Sequence, residues 1–140
     1  MTATPTASAA PPGIEEVVGR QVMVVDDEPG VRWLTVRLLQ AAGYSVHQAE
    51  DGLEAFEFVR SQPELLDVVV SDIVMPRLDG VALVQRLATV CSDLPCILVS
   101  GYGAPQLEAL GIAVPCGILS KPVPAEVLLG EVRRCLRERR

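Results

Sequence analysis

The sequence predicts an α/β sandwich in which helices cover both faces of a five-stranded parallel sheet. Short apolar runs rich in β-branched residues alternate with stretches of helical periodicity, and no long irregular gap interrupts the alternation. The runs at residues 22–27 and 66–71 are almost continuously apolar, which is typical of strands buried on both faces. With 140 residues, 49% of them hydrophobic and 21% charged, the chain fits one globular domain.

The first part of the chain predicts two strand and helix pairs. A strand at residues 22–27 precedes a helix at residues 29–42, where Pro29 suits the first helical turn and Gly43 follows the last. This helix carries apolar residues at helical spacing: Val31, Leu34, Leu38, Leu39 and Ala42. A short edge-like strand is predicted at residues 44–49, and Asp51 can cap a second helix at residues 52–61.

The second part repeats the alternation. The buried strand at residues 66–71 leads through a turn at residues 75–80 to a helix at residues 81–91. A strand at residues 95–100, a short helix at residues 105–110 and a strand at residues 115–120 follow, and an amphipathic helix occupies residues 124–139. In a parallel sheet built this way, all strands end at the same edge.

The chain is expected to comprise a flexible leader, residues 1–19, and one folded domain, residues 20–140. The first thirteen residues carry no charge or aromatic ring, so they bury too little surface to offset the entropy of ordering. They lack the basic and apolar regions of a signal peptide, and no run is long enough to span a membrane, which predicts a cytoplasmic protein without a membrane partner. The net charge of −6 argues against nucleic acid as a partner.

The four cysteines are predicted to be reduced. Cys91, Cys96, Cys116 and Cys135 form no CxxC pair, and no histidine stands at metal-ligand spacing from them. We therefore expect each cysteine to act as a small hydrophobic residue.

Chemically useful side chains stand at the ends of four predicted strands. Asp26 and Asp27 close the first strand, and the third, fourth and fifth strands lead to Asp72, Ser100 and Lys121. Because ligands of parallel α/β sheets bind at the carboxyl ends of the strands, these groups are expected to meet. Lys121 is the only lysine among twelve basic residues, which favours a need for a compact positive charge over ordinary surface charge.

This set of groups suits phosphoryl chemistry. Adjacent carboxylates repel each other, and a hard cation such as Mg²⁺ bound between them relieves the repulsion. The metal and the Lys121 ammonium would offset charge on a phosphoryl group, and a hydroxyl would donate a hydrogen bond to it. Asp72 is the best candidate nucleophile, since it lies between the acid pair and the serine and lysine. The only histidine, His47, lies in the edge strand, where a packing role is favoured.

Four segments, taken in order, resemble the signature of the receiver domain of two-component response regulators: VMVVDDEPGVR, VVVSDIVMPRLDG, ILVSGYG and GILSKP. The resemblance covers about residues 20–138. It implies a flavodoxin-like (βα)5 three-layer sandwich with strand order 2-1-3-4-5. It also implies Mg²⁺ as the cofactor, for which Mn²⁺ can substitute.

The resemblance assigns a role to each site residue. Asp72 would be the phosphoacceptor and a metal ligand, Asp27 and the Val74 carbonyl would be further ligands, and Asp26 would hold a metal-bound water. Two further residues would contact the phosphoryl group, namely Ser100 as the switch hydroxyl and Lys121, which precedes a proline that is usually in cis, Pro122. Backbone N–H groups would complete the contacts: those of Ile73, Val74 and Gly101.

The chain departs from the family pattern at two positions. Ile118 stands at the switch position, where the family often has Tyr or Phe, so an aromatic rotamer switch cannot operate, and Val123 replaces a common Phe. Val74 and Tyr102 occupy the variable positions that flank the site. This bulky apolar pair is expected to hinder attack by water and to lengthen the phosphoryl lifetime.

Candidate docking residues lie on the first helix and after the last strand. Trp33 falls on the side of the helix opposite Leu38, so it should face solvent, where it could anchor a partner or pack against a neighbouring loop or the leader. Val31 and Leu34 match positions where similar receivers meet the helices of the phosphodonor, and Pro122 joins them as a candidate contact.

The sequence therefore predicts a stand-alone receiver that is not an enzyme beyond slow autodephosphorylation. It would take a phosphoryl group from a histidine kinase or phosphotransfer protein onto Asp72, as a monomer or weak homodimer, and signal to a downstream protein. One alternative is the receiver of a hybrid histidine kinase, and a phosphorylation-incompetent receiver is disfavoured because all the site groups are present. Another alternative is an aspartyl-phosphate hydrolase of the haloacid dehalogenase type, but Val74 stands where such enzymes carry a second acid.

Overall fold

The computed structural model describes residues 18–101 and 116–139 of the chain. Within these residues, five strands alternate with four helices. The strands are β1 (Gln21–Val25), β2 (Ser45–Ala49), β3 (Val68–Asp72), β4 (Cys96–Ser100) and β5 (Gly117–Ser120). The helices are α1 (Pro29–Ala41), α2 (Gly52–Ser61), α3 (Gly80–Val90) and α4 (Ala125–Glu138).

All five strands run parallel in one sheet with the order β2-β1-β3-β4-β5. In the centre of the sheet, Val24 of β1 pairs with Gln48 of β2 on one side and with Val70 of β3 on the other. β4 joins β3, and β5 joins β4. The predicted α/β fold class and the strand order 2-1-3-4-5 are confirmed. Because β1 and β3 are neighbours, the residues that follow them share one part of the sheet edge.

Two apolar layers hold the helices against the sheet, because successive strand residues point to opposite faces. Met23 and Val25 pack with residues of α2 and α3 on one face. Val22 and Val24 pack with residues of α1 and α4 on the other face. All four side chains are buried, and each such burial stabilises the fold by about 1.5–3 kcal/mol. The sheet is therefore a firm platform for the groups at its edge.

Side-chain hydrogen bonds to capping aspartates begin two of the four described helices, α2 and α3. The Asp51 side chain accepts a hydrogen bond from the Glu54 N–H at 2.9 Å, and α2 spans the predicted residues 52–61. The Asp79 side chain likewise accepts a hydrogen bond from the Ala82 N–H at 2.8 Å. α3 starts at Gly80, one residue earlier than predicted. A side-chain oxygen at this position satisfies an N–H group that the first turn leaves unpaired.

The strand boundaries differ from the predicted ones in a way that matters for the site. β1 ends at Val25, so Asp26 and Asp27 lie in the turn after it, whereas β3 continues through Asp72. The predicted helix at residues 105–110, Tyr102 and the first seventeen residues of the leader lie outside the described residues. None of the helices in the described part is both long and apolar enough to cross a membrane.

The prediction that all four cysteines are reduced is wrong for one pair. Cys116 and Cys135 are joined by a disulfide bond with their Cα atoms 6.0 Å apart, whereas Cys91 and Cys96 are free. Cys116 directly precedes β5, and Cys135 lies on α4, which packs over that strand. The nineteen-residue separation carries no motif, so only the packing of α4 onto β5 reveals the pair.

Candidate functional site

Three carboxylates meet at the C-terminal edge of the sheet. Asp26 and Asp27 follow β1, and Asp72 ends the neighbouring strand β3. One carboxylate oxygen from each lies within 4.8 Å of the others. Asp26 is buried, Asp72 is half-buried and Asp27 is exposed. The structure thus brings together the three acids that the sequence placed on two separate strands, and it leaves the cluster open to solvent on the Asp27 side.

Lys121 approaches the same cluster from the end of β5. Its ammonium Nζ lies 3.3 Å from Asp72 Oδ2. The backbone supports this approach, because the Lys121 N–H donates to the Ser100 carbonyl at 2.8 Å. Ser100 is buried at the end of β4, in register with Ser120 of β5. The Lys121–Pro122 peptide bond is cis, as the resemblance implies.

The electrostatics of the cluster favour an added cation. Burial, the largest effect, raises the pKa of Asp26 above its ordinary value, because it removes water from the carboxylate. The Glu28 N–H, which donates to Asp26 Oδ1 at 2.9 Å, lowers the pKa. The charges of Asp72 and Asp27 raise it, and the charge of Lys121 lowers it. One ammonium therefore faces three carboxylates.

The donor set fits a hard divalent ion. Oxygen atoms are the ligands that Mg²⁺ and Mn²⁺ prefer, and Mg²⁺ held by a few carboxylates keeps several of its waters. Oxygens within 4.8 Å of one another can share one ion after small side-chain rotations, given an Mg–O distance of about 2.1 Å. Across residues 18–101 and 116–139, no other group of three or more His, Cys, Asp or Glu residues is this close.

The carboxylate of Asp72 has a different neighbour on each oxygen. Oδ1 accepts from the Ile73 N–H at 2.9 Å, whereas Oδ2 faces Lys121. The same Ile73 N–H also points to the Val99 carbonyl at 3.1 Å. In this structure the Ile73 amide therefore holds the Asp72 carboxylate itself. Val74 and Gly101, the other predicted backbone contacts, follow β3 and β4 and are exposed, Val74 at 64%.

Contacts that the sequence analysis missed clamp the loop between β3 and α3 against α2. Arg77 Nε and Nη2 each lie 2.7 Å from Asp51 Oδ2. The Gly52 N–H donates to the Leu78 carbonyl at 3.0 Å. Burial raises the pKa of Asp51, but the hydrogen bonds from the Glu54 N–H and Arg77 outweigh it, so the pKa lies below its ordinary value. This loop carries the backbone that follows Asp72.

Gly80 allows α3 to begin against the backbone of Asp72. Its N–H donates to the Ile73 carbonyl at 2.8 Å, and a Cβ atom at this position would lie 2.3 Å from the Asp72 carbonyl oxygen. Any side chain here would displace the backbone of Asp72 and Ile73. Arg77, in the same loop, has a φ of 68°, which is uncommon for a residue with a side chain. The Asp79 and Gly80 pair was a turn signal in the sequence, but it did not reveal this close approach.

Arg32 is a second residue that the sequence analysis missed. Its Nη1 donates to the Asp26 carbonyl at 2.7 Å, and its Nε donates to Gln48 Oε1 at 3.0 Å. Arg32 therefore joins α1 and β2 to the turn that carries the acid pair. Arg32 binds a backbone carbonyl, which every residue has, so its spacing from Asp26 in the sequence carries no signal by itself.

An apolar groove of about 530 Å³ extends from the cluster between α1 and the segment after β5. Val31, Leu34 and Pro122 line it together with Asp72 and Lys121. Val31 and Leu34 are 39% and 63% exposed. Three of the four candidate docking residues therefore share one surface with Asp72.

Trp33 lies outside this groove. Its side chain is 57% exposed, which confirms the predicted solvent-facing position. The guanidinium of Arg37 lies 5.3 Å from the centre of its ring, at cation–π distance. The structure therefore does not place Trp33 with Val31, Leu34 and Pro122.

Two other residues that the sequence singled out, His47 and Ile118, make packing contacts. His47 on β2 has its Nε2 2.7 Å from Gln21 Oε1 and its ring 5.2 Å from the ring of Phe58. These contacts agree with the predicted packing role. Ile118, at the predicted switch position, is half-buried against the apolar layer of α2 and α3.

Comparisons with known proteins agree on one family. Residues 22–133 match the family model described as response regulator receiver domain. The chain is 39% identical over 119 residues to the sensor kinase CckA of Brucella abortus (strain 2308), a match that covers 82% of this chain and 12% of the kinase. It is 37% identical over 119 residues to the response regulator MprA of Mycobacterium leprae (strain TN), covering 84% of this chain and 51% of that protein. The chain therefore spans about half of one relative and a small part of the other.

Solved structures show the same likeness. The receiver domain from the hybrid histidine kinase CckA aligns with a TM-score of 0.70 at 31% identity, covering 83% of this chain and 98% of that one. The chemotaxis protein CheY4 of Vibrio cholerae aligns with a TM-score of 0.73 at 30% identity, covering 84% and 99%.

Proposed function

The chain belongs to the response regulator receiver domain family of two-component systems, and from that premise we propose that Asp72 accepts a phosphoryl group from a histidine kinase or a histidine phosphotransfer protein. The observation that carries this proposal is the meeting of three carboxylates within 4.8 Å, with Lys121 Nζ 3.3 Å from Asp72 Oδ2. A carboxylate oxygen of Asp72 attacks phosphorus, the imidazole of the donor leaves, and an acyl phosphate remains on the chain.

Each side chain has a defined part in this reaction. Lys121 pairs with Asp72 before transfer and is close enough to pair with a phosphoryl oxygen afterwards. Ser100, buried at the end of β4, donates its hydroxyl to the phosphoryl group. A bound Mg²⁺ supplies positive charge that offsets the charge on the phosphoryl oxygens. Asp27, Asp72 and the Val74 carbonyl would hold that ion, and Asp26 would hold a metal-bound water.

We assign the groove beside the acceptor to the helices of the phosphodonor. Val31 and Leu34 on its α1 wall are exposed, and Asp72 and Lys121 line the same groove. A partner helix that buries Val31 and Leu34 would bring its phosphohistidine next to the acceptor.

The chain acts, in this proposal, as a cytoplasmic phosphoacceptor that loses its phosphoryl group slowly and signals through changed affinity for a downstream protein. It works as a monomer or weak homodimer. The same chemistry serves a stand-alone regulator and the receiver of a hybrid kinase, and the relatives include a response regulator and a sensor kinase. Turnover of a free phosphate ester is disfavoured, because Val74 stands where a hydrolase of this type carries its second acid.

The proposal is tested with a small acyl phosphate as donor and a phosphate-affinity gel as readout. The wild-type chain should shift in the presence of Mg²⁺ and not in chelator, and Asp72→Asn should not shift. Asp79→Asn is the matched control, because Asp79 only caps α3 and Asn caps a helix equally well. Equal shifts of the wild type and Asp72→Asn would show that another residue is the acceptor.

A further inference from the structure

The disulfide joins the two ends of the segment that carries Lys121. Cys116 directly precedes β5, Lys121 directly follows it, and Cys135 lies on the third turn of α4. In the described sheet, β5 is an edge strand that is bonded only to β4. A cross-link between its start and α4 therefore restricts a strand that has few other restraints.

Two further contacts bind the start of β5 to α4. Arg134 Nη2 donates to the Cys116 carbonyl at 2.7 Å and lies 2.7 Å from Glu131 Oε2. A Cβ atom on Gly117 would meet the Glu131 carboxylate at 2.1 Å, so β5 and α4 are in close contact here. The cross-link thus forms part of a packed junction, at the end of β5 opposite Lys121.

Cys116 and Cys135 are among the residues that line a cavity of about 320 Å³ between α3, α4 and the start of β4. Cys116 is half-buried, whereas Cys135 is fully buried. The Arg134 guanidinium lies 3.8 Å from Cys135 Sγ. An attacking thiolate can therefore approach Cys116, and the sulfur that leaves has a cation beside it, which favours its departure as a thiolate.

We propose that Cys116 and Cys135 form a redox-active pair whose partner is a dithiol, and that its state sets how firmly the strand carrying Lys121 is held. A thiolate of the dithiol attacks Cys116 Sγ, the S–S bond breaks, and Cys135 leaves as a thiolate beside Arg134. The second thiol of the dithiol then attacks the mixed disulfide and releases Cys116. The pair gains two electrons and two protons, and the dithiol becomes a disulfide. The reverse exchange with an oxidised dithiol restores the bond.

The proposal that the Cys116–Cys135 bond breaks and forms reversibly rests in part on the proposed function. A phosphoacceptor that receives its phosphoryl group from cytoplasmic kinases lies in a compartment where thiols are normally reduced. Disulfides in that compartment are mostly transient, catalytic or redox-sensing. Oxidation would hold β5, the strand that leads to Lys121, against α4, and reduction would free the start of β5 to fluctuate.

The test uses the full chain in buffers that contain reduced and oxidised dithiothreitol in known ratios. Alkylation under native conditions counts the free thiols, and amide hydrogen exchange reports local opening. The Cys116 and Cys135 thiols should appear and disappear reversibly without unfolding. Reduction should speed exchange in β5 and the third turn of α4 by about tenfold, and leave β1 and β3 unchanged.

Variants distinguish the effect of the Cys116–Cys135 bond from a general loss of stability. The double variant Cys116→Ala, Cys135→Ala should exchange like the reduced wild type at every dithiol ratio, whereas Cys91→Ala, which removes a free thiol, should keep the response. Arg134→Gln should slow reduction about threefold, and Arg134→Lys should keep most of the rate. A pair that never forms in the native protein, or identical exchange in both redox states, would overturn the proposal. Neither readout requires phosphorylation, so failure of the proposed function would leave this test unaffected.

Discussion

Asp26 is a buried carboxylate whose position opposes folding and favours cation binding. Its neighbours include two other acids, and one ammonium partly balances them. Charged groups held together for function commonly lower the stability of the protein that carries them. The residue should therefore reveal its role in two ways, through the stability of the metal-free chain and through the response to metal.

Replacing Asp26 by Asn should raise the free energy of unfolding of the metal-free chain at pH 7 by about 0.5–2 kcal/mol. The pKa of Asp26 in the folded chain lies above its ordinary value of 3.8, so its favourable contribution is complete below that value and is lost as the pH rises through the folded pKa. The gain from Asn should therefore grow between about pH 4 and pH 7. Urea unfolding at the two pH values, in the presence of a metal chelator, measures this gain in stability. An equal gain at both pH values would contradict the idea that the Asp26 charge opposes folding.

At the scale of elements, the loop after β3 depends on its contact with α2. Arg77→Gln removes the ion pair with the buried Asp51 and should lower the free energy of unfolding by about 1–2 kcal/mol at pH 7. The pKa of Asp51 is lowered in the folded chain, so this contribution is present above its ordinary value of 3.8 and is lost as the pH falls through the folded pKa. The loss caused by Arg77→Gln should therefore shrink in acid.

Arg60→Gln is the control for Arg77→Gln. The ion pair of Arg60 with Glu57 is exposed, with 59% and 51% of the two side chains accessible, so its removal should change the free energy of unfolding by less than about 0.5 kcal/mol. Chemical unfolding of both variants at two pH values is the measurement. A pH-independent effect of Arg77→Gln would show that the arginine acts through packing instead of charge.

The groove on α1 permits a separate test of partner docking. Leu34→Asp should slow phosphoryl transfer from a histidine phosphotransfer protein by about tenfold or more, because a charge would replace an apolar contact at the centre of the surface. Transfer from a small acyl phosphate should not change. Val18→Asp is the control, since Val18 is equally exposed, at 64% against 63%, and lies before β1 at the opposite sheet edge. A uniform loss with both donors would mean that the variant disturbs the site itself.

Sequence patterns predicted the start of a helix well where a single residue sets its first turn. Asp51 marked the start of α2, and Pro29 marked the start of α1. The clamps were not predictable, because Arg32, Arg77 and Gly80 act through groups that come together only when the chain folds. The bond between Cys116 and Cys135 was missed for the same reason.

At the scale of the molecule, the site draws its residues from four strands of one sheet. The positions of Asp26, Asp72 and Lys121 at strand ends were sufficient to predict their meeting, because parallel strands end at one edge. Distances and burial could not be predicted, since they depend on how the loops after the strands pack.

Two of the acids follow β1 and the third ends β3, so a bound ion would join two neighbouring strands of the sheet. Metal binding should therefore stabilise the whole chain against unfolding. Mg²⁺ at about one hundred times its dissociation constant should raise the free energy of unfolding by about 2.7 kcal/mol. Asp27→Asn should lose most of this increase, whereas Glu126→Gln, an exposed acid in the first turn of α4, should keep it. Thermal unfolding with and without Mg²⁺ provides the comparison. An equal response of the Asp27 and Glu126 variants would place the ion elsewhere.

The most direct test of the central claim is to locate the phosphoryl group on the chain. After incubation with a phosphodonor and Mg²⁺, borohydride reduction converts an aspartyl phosphate to homoserine, and peptide mass spectrometry identifies the residue. We predict homoserine at position 72 alone, and none when Mg²⁺ is removed. Homoserine at another acid, or modification that does not depend on the metal, would contradict a site built from Asp26, Asp27, Asp72 and Lys121.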